Sequence, residues 1–165
     1  VKTERPVELG EWCRGPTTES NWLIPGGIIT GEVPGGGGRW TCPSPRDLHP
    51  ILSSGVTTFV CLLEFEPPYL PLLQSLTSSA ADGEEEKRKG EQVGEKKGEI
   101  PATVTSSTDT PHDVSVVWFP IDDFSIAPTR HLESLVEELA RRVKKGEVLY
   151  IHCFSGRGRT GTVVI

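Results

Sequence analysis

The chain has 165 residues, a formal net charge of -6 at pH 7 and no methionine. That length is enough for one domain with a sizeable core, and the negative charge argues against nucleic-acid binding by bulk electrostatics. No apolar run approaches the roughly 18 residues of a membrane span, and no secretory leader is visible. We therefore expect a soluble intracellular domain, located in the cytoplasm or the nucleus.

The N-terminal third predicts a β-hairpin followed by a helix and a strand. Residues 21–31 indicate two short strands around a Pro25-Gly26 turn, with a glycine-rich loop beyond them. Residues 47–53 predict a short helix that ends at a glycine. Residues 56–63 are apolar and β-branched and predict a central strand. Three prolines that follow, Pro67, Pro68 and Pro71, are expected to interrupt regular structure.

Residues 74–113 differ in composition from the rest of the chain. Ser, Thr, Gly, Glu and Lys dominate there, and aromatic residues are absent. Such a segment buries too little apolar surface to offset the entropy of ordering, so it is predicted to be a disordered, charged surface insertion within one domain. Strands expected at 56–63 and 114–119 flank it. A passive solvated insertion is the favoured interpretation, and docking of a partner is the alternative.

The C-terminal third alternates helix and strand. Residues 129–145 predict an amphipathic helix whose apolar face carries Leu132, Leu135, Val136, Leu139 and Val143. Residues 148–151 predict a buried strand, and residues 160–165 the start of a further helix. This order predicts an α/β fold with a largely parallel central sheet flanked by helices.

The most informative motif joins that last strand to that last helix. It reads Ile151-His152-Cys153-Phe154-Ser155-Gly156-Arg157-Gly158-Arg159-Thr160-Gly161. A strand-to-helix turn aims backbone N–H groups at one point, and the helix dipole adds positive potential there. Such a cradle binds a phosphate dianion and lowers the pKa of a thiol at its centre. The guanidinium of Arg159 can close it with a two-pronged contact to phosphate oxygens.

Two other phosphate-binding motifs share these letters. Gly156, Gly158 and Gly161 spell the dinucleotide-binding fingerprint, but that fingerprint gives no reason for Cys153, and two arginines would crowd the pyrophosphate. A Walker A loop is excluded because no lysine precedes Thr160. A cysteine that is merely structural would leave the glycines and the preceding strand unexplained. The motif therefore predicts a phosphate loop built around a cysteine nucleophile.

These residues match the His-Cys-x5-Arg-Ser/Thr signature of the cysteine-based protein phosphatases. Residues 117–124, which contain Pro120-Ile121-Asp122-Asp123, resemble the general-acid loop of dual-specificity phosphatases, and residues 22–26 add a weaker likeness. The chain is similar to atypical dual-specificity phosphatases of the kinase-associated type and to related bacterial and plant tyrosine phosphatases. Because it starts at Val1 without Met and stops four residues into a helix, we expect residues 1–165 to be a single truncated domain that lacks its C-terminal helices.

The resemblance implies roles for individual residues. Cys153 would attack phosphorus and form a cysteinyl-phosphate, Arg159 would stabilise the transferred group, and Asp123 would be the general acid, with Asp122 as the alternative. Supporting roles fall to His152, which orders the loop from behind, and Thr160, which hydrogen-bonds the sulfur. The substrate phosphate would be held by Phe154, Ser155, Gly156, Arg157 and Gly158.

The resemblance further implies phosphomonoester hydrolysis on phosphotyrosine or phosphoserine/threonine of a protein substrate, with no metal or cofactor. Two alternatives remain: a phosphoinositide or other polyphosphate phosphatase, suggested by the second cation Arg157, and a catalytically silent phosphate-binding module. Neither a nucleic-acid partner nor a membrane span is expected. The four cysteines form no C-x-x-C pattern, which favours a reduced compartment. They are Cys13, Cys42, Cys61 and Cys153.

Overall fold

The computed structural model describes residues 13–36, 42–78, 103–104 and 114–165. Within these ranges the strands are β1 (Ser20–Ile24), β2 (Ile28–Gly31), β3 (Thr58–Cys61), β4 (Thr103–Val104), β5 (Ser115–Trp118) and β6 (Leu149–His152). The helices of the same ranges are α1 (Pro45–Ser53), α2 (Leu70–Ser78), α3 (Thr129–Lys144) and α4 (Gly158–Val164).

The strands form one sheet in the order β1-β2-β6-β3-β5-β4. The four central strands are parallel, and β1 and β4 pair antiparallel at the edges. Cys61 is in register with His152 on one side and with Trp118 on the other. The carboxyl ends of β6, β3 and β5 therefore meet at one edge of the sheet. The predicted α/β fold with a largely parallel central sheet is confirmed.

Successive residues of the central strands contribute to two cores, because side chains alternate between the faces of a sheet. Phe59 and Tyr150 belong to the core beneath α1 and α2, whereas Val60 and Ile151 belong to the core beneath α3 and α4. Val136 was expected on the inward face of α3, but it is 47% exposed. It follows the buried Leu135 by one residue, about 100° around the helix, which turns it off the apolar stripe.

Helices α1 and α2 both carry in their first turn a proline that the sequence analysis did not assign to a helix. Helix α1 begins at Pro45, two residues earlier than predicted, and the backbone N–H of Ser44 donates to the carboxylate of Asp47 at 2.7 Å. Helix α2 carries Pro71 in its first turn, where the missing N–H costs no intrahelical hydrogen bond. The prediction that Pro71 interrupts regular secondary structure was wrong.

The segment at 74–113 joins two strands that lie side by side in the sheet, since β3 pairs with β5. Its first residues continue α2 as far as Ser78, and Thr103 pairs with Val117 of β5. The predicted disorder therefore does not extend to 74–78 or 103–104. The other residues of the segment, including the charged run, lie outside the described ranges. None of the helices in the described ranges combines the length and the apolar character that a membrane span requires.

Candidate active site

Cys153 directly follows β6, at the carboxyl edge of the parallel strands, where α/β sheets bind their ligands. The next residues turn sharply into α4, which begins at Gly158, two residues before the predicted start. The cysteine is only 2% exposed. All four cysteines of the chain are free thiols.

The turn after Cys153 requires a glycine at position 156. Gly156 has a φ of 69°, and a Cβ there would lie 2.5 Å from the backbone carbonyl of Gly31 at the end of β2. A hydrogen bond also holds the loop close to the residues that follow β2: the backbone N–H of Val33 donates to the carbonyl of Phe154 at 3.2 Å. The loop is thus pressed against β2, in a conformation that only glycine adopts there without strain.

The environment of Cys153 stabilises a thiolate. Burial on its own would raise the pKa of the thiol, but hydrogen bonds from the Thr160 hydroxyl and from the backbone N–H groups of Thr160, Gly156 and Arg157 outweigh it and lower the pKa. By distance and angle, the buried Thr160 hydroxyl has no regular hydrogen-bond partner among the described residues. Its proton is therefore available to the sulfur.

His152 and Tyr69 form a buried pair beneath the loop. The imidazole Nε2 and the Tyr69 hydroxyl are 2.7 Å apart, and Nδ1 lies 3.2 Å from the carbonyl of Cys153. Burial lowers the pKa of His152 to about 4, despite the opposing effect of that carbonyl. A neutral ring can satisfy both contacts in one way: Nδ1–H donates to the carbonyl, and Nε2 accepts the Tyr69 proton.

This buried histidine makes folding stability depend on pH. Between pH 6.5 and about 4 the unfolded chain binds a proton at His152 that the folded chain does not. The free energy of unfolding should therefore be highest above pH 6.5 and fall by about 3 kcal/mol as the pH approaches 4. Urea unfolding at half-unit pH steps measures this slope.

Two variants make the assignment specific. His152→Asn should flatten the slope between pH 6.5 and 4.5, whereas His49→Asn, which changes an exposed histidine of α1, should leave it unchanged. Glu64 and Glu138 have a lowered pKa, so their protonation in acid also destabilises the fold. That effect begins only below their ordinary pKa of 4.5. An equal slope in both histidine variants would contradict the assignment.

Arg159 lies at the start of α4 with its guanidinium buried and anchored on one side. Its Nη1 donates to the carboxylate of Glu64 and, at 3.0 Å, to the backbone carbonyl of Ile121. These two contacts use both hydrogens of Nη1. The edge formed by Nε and Nη2 is therefore the one that can meet two phosphate oxygens.

The two candidate acids are placed differently. A carboxylate oxygen of Asp123 lies 3.2 Å from Nη2 of Arg159. Both side chains are exposed, and the backbone carbonyl of Asp122 accepts a hydrogen bond from Ser125 N–H at 3.1 Å. The structure thus brings Asp123 next to Arg159, beside the loop that follows Cys153, while Asp122 forms the start of a turn.

The remaining predicted residues lie on the same loop or, in the case of Gly158, at the first position of α4. Phe154 is half-buried, and Ser155, Arg157 and Gly158 are exposed. In the described part of the chain, no group of three or more His, Cys, Asp or Glu is arranged to hold a metal ion.

The sequence analysis missed Glu64 and Tyr69. Burial of Tyr69 raises the pKa of its hydroxyl, which keeps that proton available for His152. The carboxylate of Glu64 accepts its own backbone N–H, which, with the contact to Arg159, lowers its pKa. An acid directly after the apolar run that ends at Leu63, three residues past the end of β3, was a usable signal, because the ends of adjacent parallel strands converge.

Three comparisons with known proteins bear on this site. Residues 103–165 match the family model described as "Polymorphic toxin system, DSP-PTPase phosphatase". An uncharacterized protein of Methanocaldococcus jannaschii is 30% identical over 54 residues, which is 33% of this chain and 37% of that protein. The chain thus spans little more than a third of this relative's length.

Among solved structures, Tk-PTP has a similar fold. A mutant form of it superposes with a TM-score of 0.51 at 19% identity, covering 88% of this chain and 67% of that chain. Its active form gives a TM-score of 0.50 at 18% identity, covering 94% and 70%. The predicted resemblance to dual-specificity-like cysteine phosphatases is confirmed by the family match of residues 103–165, and the fold agrees with it.

Proposed function

We propose that the chain hydrolyses phosphate monoesters of proteins through a cysteinyl-phosphate intermediate. The observation that carries the proposal is the environment of Cys153. Its sulfur is buried at the sheet edge, surrounded by donors that lower the pKa of the thiol, beside an arginine whose Nη1 is anchored and whose Nη2 faces the exposed carboxylate of Asp123. This arrangement suits a nucleophile that attacks a phosphate dianion.

In the proposed reaction the Cys153 thiolate attacks phosphorus in line, so that the S–P bond forms as the bond to the leaving oxygen breaks. Backbone N–H groups of the loop and the free edge of Arg159 hold the three equatorial oxygens and stabilise their charge. The hydroxyl of Thr160 stabilises the sulfur anion when water later displaces it.

Asp123 supplies the proton in this scheme. Without substrate its carboxylate lies against Nη2 of Arg159. A bound phosphate competes for that nitrogen, which releases Asp123 to take a proton from solvent and donate it to the leaving oxygen. The resulting carboxylate then accepts a proton from the water that cleaves the S–P bond.

Alkylation of Cys153 with iodoacetamide tests the proposal directly. We expect the rate to rise with a pH midpoint below the roughly 8.5 of an ordinary cysteine, and added tungstate to slow it by occupying the loop. Mass spectrometry separates Cys153 from the exposed Cys42. An ordinary midpoint that tungstate does not affect would refute the proposal.

A polyphosphate substrate is the second candidate, and the exposed side chain of Arg157 favours it. That cation could bind a second phosphate group beside the one being cleaved. Turnover of a phosphotyrosine peptide, a phosphothreonine peptide and soluble inositol phosphates should be compared at equal concentration. A strong preference for inositol phosphates would replace protein phosphatase by this alternative.

A further inference from the structure

The turn that follows Asp123 exposes two large apolar side chains. Phe124 is 103% exposed and Ile126 is 70% exposed. The Phe124 ring therefore contributes no burial energy to the fold, although fully burying such a side chain stabilises a protein by about 1.5–3 kcal/mol.

Phe124 also has an unfavourable backbone conformation. Among the described residues it is the sole non-glycine residue with a positive φ, 56°. Ser125 N–H donates to the Asp122 carbonyl at 3.1 Å, so residues 122–125 form a β-turn with Phe124 at its third position. Glycine or asparagine is favoured there, and a bulky residue is a genuine outlier. Strain of this kind clusters at functional sites.

The location of the turn suggests what the ring contacts. Asp123, the preceding residue, reaches Arg159 at 3.2 Å, so Phe124 lies at the rim of the phosphate loop. The part of a substrate that carries the phosphate group must lie close to this rim. An exposed aromatic ring there offers apolar surface that a ligand could cover.

We propose that Phe124 is a specificity-determining residue whose ring packs against an apolar side chain next to the phosphorylated residue of a protein substrate. This inference rests on the function proposed above. An anionic lipid surface is disfavoured, because the chain has a net charge of -6 and Asp122, Asp123 and Glu64 lie around the loop. Inositol phosphates offer little apolar surface for the ring to bury.

Phe124→Gly is the sharpest test, because glycine retains the positive φ of the turn and removes only the ring. Two phosphotyrosine peptides would be compared, one with leucines flanking the phosphorylated residue and one with serines, with phenyl phosphate as reference. We expect the parent chain to prefer the leucine peptide about tenfold in kcat/KM, chiefly through KM, and Phe124→Gly to abolish that preference.

Two further variants separate contact from stability. Phe124→Trp should restore the preference, and Val136→Ala, which shortens an exposed apolar side chain on α3, should retain it. A leucine preference that survives in Phe124→Gly would overturn the inference, as would a loss seen only with phosphatidylinositol phosphate in vesicles. If the parent chain shows no Cys153-dependent turnover of phenyl phosphate, the proposed function itself fails, which is a distinguishable result.

Discussion

Replacing Cys153 by serine is expected to lower kcat for phenyl phosphate by roughly 10⁴-fold or more, the scale seen when a catalytic nucleophile is removed. The same hydrogen-bond donors would surround the serine oxygen, but an un-ionised hydroxyl with no adjacent general base is a weak nucleophile. His152 cannot act as that base, because its Nε2 accepts from Tyr69 and its Nδ1–H donates to a carbonyl. Steady-state and single-turnover kinetics measure the loss.

The substitution should leave the fold intact. Serine is slightly smaller than cysteine and keeps a polar atom among the loop donors. We therefore expect the free energy of unfolding of the variant to lie within about 1 kcal/mol of that of the parent. Cys42→Ser provides the matched control, since it changes an exposed cysteine and should retain full activity. Retention of most activity by Cys153→Ser would contradict the mechanism. If the parent chain binds phosphate but shows no turnover, it is a silent phosphate-binding module.

Arg159→Lys is expected to lower kcat/KM by about 10²–10³-fold, although the positive charge is kept. A lysine ammonium cannot be anchored by Glu64 and the Ile121 carbonyl while also presenting two parallel donors to a phosphate. The loss should appear in kcat as well as in KM, because the contacts are made to charge that develops in the transition state. Steady-state kinetics with phenyl phosphate tests both parameters.

A surface arginine gives the control for this change. Arg141 is exposed on α3 and pairs with Glu138 at 2.6 Å, so Arg141→Lys should keep its activity. Unfolding of Arg159→Lys must be measured in parallel, because the substitution also disturbs a buried ion pair. A variant that folds and retains kcat/KM within threefold of the parent would show that two-pronged phosphate binding by Arg159 is not required.

Features encoded by near neighbours in the sequence were predictable. The turn from β6 into α4 needs only the residues from Cys153 to Thr160, and the hairpin needs only the turn at Pro25-Gly26. Helix α2 was missed because Pro71 was interpreted as a breaker, although the first turn of a helix tolerates proline. Here the local signal was present and was weighed wrongly.

The contacts that complete the site were not predictable in the same way. The Tyr69 to His152 contact spans 83 residues of sequence, and the Glu64 to Arg159 contact spans 95. Neither partner belongs to a motif, and each pair forms only because the sheet places β3 beside β6. Such contacts depend on strand order, which the pattern of apolar residues did not determine.

The guanidinium of Arg159 touches groups that come from beyond two other strands, Glu64 after β3 and Ile121 and Asp123 after β5. Arg159 thereby connects its own helix α4 with the segments that follow β3 and β5. These polar contacts lie at the edge of the sheet and are separate from the apolar contacts of the two hydrophobic cores that stabilise it. Mild warming that loosens only these segments would separate Asp123 from Arg159 before any helix or strand melted. Under the proposed function, we expect activity to be lost at a lower temperature than the fold.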